Sequence, residues 1–227
     1  MSIDRFTPTD WSTTHPTAKT LLFHPRQPLN ASATGYIEFG EGLGLHLRYK
    51  CKVRSPWWRV PVTTIPDLFV SYMSGSNPRI VANPARAHHL NSIHGLRVRP
   101  ELRALASRTL PLLALSSYSL LSAEIEGRSY GGGVLKLEPR EADRWLVPNP
   151  ETAMLANELH GTLLNLGSKL IRSGDLAGAS EIANQIVGDL LHEVSLVPID
   201  SNAVRSARSD LLRRRLTRGR QKTASAS

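Results

Sequence analysis

The order Asn149-Pro150-Glu151 marks a helix start, and it constrains the fold more than any other point in the chain. An asparagine side chain can cap the free amides of a first turn, and proline is tolerated there because its missing N–H would have no partner anyway. Leu155, Leu159, Leu163, Leu166 and Leu170 then fall on one stripe, and Ser173-Gly174 closes the pattern. A second amphipathic run carries Ile182, Ile186, Val187, Leu190 and Leu191. The two predict a helical hairpin whose apolar faces need a partner surface.

Elsewhere the period changes. Leu43, Leu45, Leu47, Tyr49, Cys51 and Val53 alternate with Gly44, His46, Arg48, Lys50, Lys52 and Arg54, which predicts a strand over residues 43–54 with one positively charged face. A short strand is expected near residues 68–72, with a turn at 75–78 and a partner strand at 79–82. Residues 101–127 read as helical, with Pro111 expected to break or kink the run. Gly131-Gly132-Gly133 reads as a turn before a short alternating segment, and the arginine-rich end as a basic helix running into a disordered tail. The fold class is therefore α+β: a β-rich N-terminal module, then a helical hairpin, then a basic helical tail. The expected divisions are an irregular arm (1–35), the β-rich domain (36–148), the hairpin (149–197) and a partly disordered tail (198–227).

Charge is uneven along the 227 residues. Residues 1–100 hold 12 Lys and Arg against 5 Asp and Glu, residues 151–200 hold 2 against 7, and residues 201–227 hold 8 against 1. A basic first half and a basic end attract polyanions by counterion release. No apolar run approaches the roughly eighteen residues of a membrane span, and the N-terminus lacks the pattern of a secretory signal. A single cysteine, Cys51, leaves no internal disulfide framework and no zinc site of paired cysteines. These readings predict a cytoplasmic protein with no membrane partner.

The side chains between residues 36 and 94 suit nucleic acid. Arginine offers a planar charged fork for phosphate or a guanine edge, and asparagine a bidentate pair for adenine. Arg48, Lys50, Lys52 and Arg59 are expected to position a DNA backbone, and Arg54, Asn83, Asn91 and His94 to reach base edges. Trp57 and Trp58 are expected to divide between core packing and contact with bases. Arg79 joins this group, and Tyr130 with Gly131 offers a close approach to a backbone. The tail arginines Arg213, Arg214, Arg215, Arg218 and Arg220 are expected to add unspecific attraction and little else. Spacings of five and six between histidines do not bring His88, His89 and His94 to one helix face, so no metal site is expected.

Several of these segments, taken in order, resemble a known family. They are GYIEFGEGLGLHLRYKC (35–51), R-x-P-W-W-x-V-P (54–61), N-P-R-I-V-A-N (77–83), H-x-x-N-S-I-H (88–94) and above all S-Y-G-G-G-V-L-K-L-E-P-R-E-A (129–142), with RSGDLAGA (172–179) and LLRRRLTRGR (211–220) near the end. The set is similar to the target-recognition region of adenine-specific DNA methyltransferases of bacterial restriction and modification systems. The resemblance implies a DNA-binding specificity part that partners double-stranded DNA and a methyltransferase catalytic domain or subunit. S-adenosylmethionine would then be held by that partner and by no residue here. The family's catalytic tetrapeptide of Asn or Asp, Pro, Pro and an aromatic has no match: Asn-Pro at 77, 83 and 149 is followed by Arg79, Ala85 and Glu151. Residues 38–44 match an acidic, glycine-rich cofactor loop, but the alternation that follows favours a hairpin turn. Two other readings stay open: a complete small methyltransferase using that loop, or a basic RNA- or DNA-binding interaction protein without an enzymatic partner.

Overall fold

The computed structural model describes residues 4, 6–13, 22–194 and 199–224. The chain divides into two units, Thr13–Thr64 and a larger one made of Met1–Ser12 with Ile65–Ser227.

The larger unit is an α+β structure with two small antiparallel sheets. Strands β1 (Leu68–Ser71), β3 (Ile80–Ala82) and β4 (Ile93–Leu96) form one sheet in the order β3-β1-β4. The expected pairing of residues 68–72 with 79–82 is present, with Leu68 opposite Ala82 and Val70 opposite Ile80. Strands β2 (Met73–Ser74), β5 (Arg128–Tyr130) and β6 (Val134–Lys136) form the second, in the order β2-β6-β5. Leu68, Val70, Ile80, Leu135, Leu137 and Trp145 bury against helix α4 (Arg103–Leu113) in one core.

Helix α4 serves two cores. Ala106 and Leu110 face the strands, while Leu112 and Leu113 enter a helical core with α7 (Pro150–Leu159), α8 (Gly161–Ser173) and α9 (Leu176–Val194). Gly167 is required there, because a Cβ at that position would lie 2.4 Å from the Leu112 side chain. Pro111 sits inside α4 without ending it. The helix closes two residues later, and Ser116 caps the next one, α5 (Ser117–Glu126). The proline costs one amide bond and a clash with the preceding turn, and the full burial of residues 113–115 offsets that cost.

Asn149 caps α7 as expected, its Oδ1 accepting the Thr152 amide at 2.8 Å. The first helix of the hairpin is two helices, however, since the chain turns at His160 between α7 and α8. Gly174, at φ +89, ends α8 in the left-handed conformation that glycine adopts without a Cβ clash. A short helix α6 (Pro139–Ala142) carries a capping box between Glu138 and Glu141.

The last helix, α10 (Ser201–Ala224), is rooted in the interior by Arg215. Its guanidinium pairs with buried Glu124 of α5 at 2.8 Å and donates to the carbonyls of Gly75, Ser76 and Gly133. The expectation that Arg215 adds only unspecific attraction is therefore corrected, since the side chain is 3 % exposed and fully used within the fold. The expected disordered end at 225–227, and the side chain of Arg220, lie outside the described residues.

The smaller unit is helical. Asn30 caps α2 (Ala31–Gly42) by accepting the Ala33 amide at 2.8 Å. A 3-10 turn at Leu45–Leu47 and the short helix α3 (Tyr49–Lys52) follow. The strand expected over 43–54 is absent from these positions. Four of its six alternating apolar residues, Leu43, Leu47, Tyr49 and Val53, are exposed, with Tyr49 at 81 % and Val53 at 70 %, so no sheet face forms to bury them. The hairpin expected from the glycines is likewise replaced: Gly40 and Gly42 lie in α2, and Gly44, at φ +69, follows its end.

Candidate nucleic-acid interface

In the smaller unit, residues 42–64 contain five cations, Arg48, Lys50, Lys52, Arg54 and Arg59, and no carboxylate. Arg48, Lys50 and Lys52 are exposed, whereas Arg54 and Arg59 are half-buried. The Arg59 guanidinium stacks over Trp58 at 5.3 Å, and its Nε is buried without a hydrogen-bond partner. Both tryptophans are half-buried; the expected split into one core and one surface residue does not occur. Trp57 donates its indole N–H to Glu41 at 2.9 Å and rests against Gly40, where any Cβ would meet the ring at 2.8 Å. Trp58 packs edge-on against Phe23, which also touches Tyr36. The aromatic cluster thus fixes α2 to the segment that carries the cations. It does so because the Trp57 indole fills the space that a bare Gly40 leaves.

The larger unit places the other expected residues separately. Arg79 is half-buried at the end of the turn before β3, and desolvation pushes its pKa down. Asn83 is 4 % exposed. Its amide donates to the carbonyls of Pro66 and Ala87, and its oxygen accepts the Ala87 amide, so the side chain is consumed inside a turn and is not presented to a base edge. Asn91 is exposed. His94 donates from Nε2 to the Leu137 carbonyl at 2.7 Å, because a carbonyl can only accept. That leaves Nδ1 as the ring's free acceptor in the neutral form.

Asn91 and His94 line one cleft of about 580 Å³, together with Tyr72, Glu138, Asp143 and Trp145. The Tyr72 ring stands edge-on to His94 at 5.2 Å, and Trp145 is held by its indole donating to the Ser119 carbonyl. Lys136 lies over the rings of Tyr72 and Tyr130 and pairs with Glu138 at 2.6 Å. That hydrogen bond raises the lysine pKa and lowers that of Glu138. Tyr130 is exposed, and Gly131 has open space where a side chain would stand.

Reading the sequence left out a second cleft of about 400 Å³, lined by Arg86, Arg103 and Arg108 among others. The signal available was weak: an Asn-Pro turn followed by arginine, and two arginines five apart at a helix start. Among the described residues no group of three or more metal-ligating side chains comes together, and no helix is long and apolar enough to cross a membrane.

Comparison with known proteins gives these features a context. The Type II methyltransferase M.XamI of Xanthomonas campestris pv. amaranthicola is 28% identical over 118 residues, which are 52% of this chain and 22% of that protein. The matched stretch thus covers about a fifth of the relative. No solved structure matches. The family model for the Type II methyltransferase M.Eco57I, C-terminal domain, matches residues 4–187, a span that takes in the smaller unit, both sheets and both clefts and stops before α10. With four-fifths of its length inside that match, the chain belongs to the M.Eco57I C-terminal domain family.

Proposed function

We propose that this chain is the DNA-binding, target-recognition part of a site-specific adenine DNA methyltransferase. The observation that carries the reading is the run of five cations between residues 48 and 59, none of them ion-paired among the described residues, in a member of a methyltransferase C-terminal domain family. Unpaired exposed cations bind phosphate with little loss of existing contacts, and they release condensed counterions when they do.

Arg48, Lys50 and Lys52 set the protein on the DNA backbone, with Arg54 and Arg59 beside them. Asn91 and the free Nδ1 of His94, together in one cleft, read base edges. Tyr130 and the open surface at Gly131 approach the backbone closely. Arg79, half-buried, stands beside β3 at the edge of the β3-β1-β4 sheet. The methyl transfer from S-adenosylmethionine belongs to a catalytic domain that acts with this chain. Such a division suits the chemistry, because the exocyclic amino group of adenine must leave the base stack to be reached, and this chain selects the site at which it does.

Duplex binding measured from 50 to 200 mM salt, alone and beside the catalytic domain, tests the reading. The expected result is an affinity that falls steeply with salt and, with the partner present, prefers one duplex sequence. Equal indifference to all duplexes at low salt overturns it.

A further inference from the structure

The turn after β3 runs Asn83-Pro84-Ala85-Arg86-Ala87. Arg86 has φ +51, and it is the one non-glycine residue with positive φ among the described residues. A side chain in that left-handed region meets its own backbone, so the conformation persists only where neighbours enforce it, and such enforcement concentrates at functional positions. Here Asn83 enforces it. Its amide donates to Pro66 and Ala87 at 2.9 and 3.0 Å, its oxygen accepts the Ala87 amide at 3.0 Å, and its carbonyl accepts the Arg86 amide at 3.0 Å. A buried asparagine is thus spent in full on holding an exposed arginine in place.

Arg86 lines the 400 Å³ cleft with Arg103 and Arg108 of α4. Asp67 is the single carboxylate of that lining, and both its oxygens are engaged, one by the Val98 amide at 2.8 Å and one by Arg103 at 3.2 Å. Arg86 and Arg108 have no carboxylate partner among the described residues; Arg108 reaches only Asn165 Oδ1 at 3.5 Å. With Arg103 paired to Asp67, Arg86 and Arg108 leave the open cleft with uncompensated positive charge, which a multidentate anion neutralises. The tetrahedral oxygens of a phosphate suit such forks, and the volume admits a phosphate together with its sugar.

The geometry points to a phosphate-binding pocket formed by Arg86, Arg103 and Arg108, which takes one phosphodiester of the DNA backbone, with Asn83 as the residue that positions Arg86. The source of the phosphate rests on the DNA-binding reading above; the phosphate chemistry of the pocket does not.

Two arms on the full chain test it. In the first, inorganic phosphate is titrated while the arginine side-chain N–H resonances are followed by NMR. The expected result is saturable shifts at Arg86 and Arg108 that vanish in the Arg86→Gln/Arg108→Gln variant. In the second, duplex affinity is measured across a salt series. The double variant is expected to bind roughly ten-fold more weakly, with the salt slope reduced by about one, for the one phosphate that loses its contacts. Asn83→Ala, which leaves the arginines in place but unfixes Arg86, should lower the slope by only part of that one, and Asn83→Asp, which keeps the accepting oxygen, by less still. A double variant that binds duplex as the parent does assigns the DNA phosphates elsewhere and overturns the proposal, leaving the DNA-binding reading intact. If the parent chain ignores duplex altogether, the first arm decides: phosphate shifts keep the pocket as a free-phosphate site, and their absence overturns it.

Discussion

Two arginine-rich stretches in this chain look alike as text and are used in opposite ways. Between residues 48 and 59 five cations stand without an acidic neighbour, three of them exposed, and none is ion-paired among the described residues. In α10 four arginines are spent on the protein, while Arg214 and Arg218 stay exposed. Arg205 pairs with Glu181, Arg208 donates to Asn77, Arg213 pairs with Asp210, and Arg215 is buried against Glu124 and three carbonyls. Net charge therefore overstates the basic surface offered by the end of the chain and states it fairly for the smaller unit. The difference lies in what faces each stretch: α10 packs along α5, whose glutamate waits for it, whereas nothing acidic follows Glu41 until Asp67.

Arg215→Met should give the largest effect. Removing one partner of a buried pair strands the other charge, at a cost of about 3 to 5 kcal/mol, and chemical denaturation reads it. A loss no larger than that of a surface substitution would erase the contrast between the two stretches. The converse variant, Arg48→Gln/Lys50→Gln/Lys52→Gln, should leave stability within about 0.5 kcal/mol but flatten the salt dependence of duplex binding by roughly 2.7 in slope. An unchanged slope would mean that these cations, too, are spent elsewhere.

The two asparagines sharpen the comparison on a smaller scale. Asn83→Ala should destabilise the fold by about 1 to 3 kcal/mol, because it leaves buried backbone groups unpaired. Asn91→Ala should leave stability alone and relax base choice at one position by about 1 to 3 kcal/mol, visible in a panel of single-base duplex variants. Arg213→Gln should be the mildest change, at about 0.5 kcal/mol or less, since its partner Asp210 is one helical turn away on an exposed surface. Acid should act through Glu138. Its carboxyl titrates below the ordinary range because Lys136 hydrogen-bonds to the charged form, so its contribution is full above the unfolded pKa and is lost as pH falls through the lower folded one. The stability gap between the parent and Glu138→Gln should close in that acidic window and stay constant above it.

Local signals in the sequence were kept by the structure. Asn149 and Pro150 start a helix, Gly174 ends one, and the strands at 68–71 and 80–82 pair as their spacing suggests, because each depends on neighbours a few residues away. The alternation at 43–54 had no such support. A period of two makes a strand only where another strand bonds it and a core covers one face; without either, backbone bonds close locally as helical turns. The leucine stripe through 155–170 hid the turn at His160, since a chain can bend between two helices and keep its apolar residues on the same side. The site was less legible than the fold. Exposure at Arg48, Lys50, Lys52 and Asn91 agrees with their expected use, but the fate of Asn83 depends on carbonyls at positions 66 and 87, and that of Arg215 on a glutamate 91 positions earlier. Residue type alone does not reveal whether such a partner arrives.

The carbonyl cage around Arg215 also orders events during synthesis. Residues 75, 76, 124 and 133 all leave the ribosome before residue 215 exists, so the inner wall of the larger unit stays unfinished until that arginine emerges. A chain halted upstream of it would lack both the partner of Glu124 and the helix that covers it, leaving that acid and one face of α5 open to water.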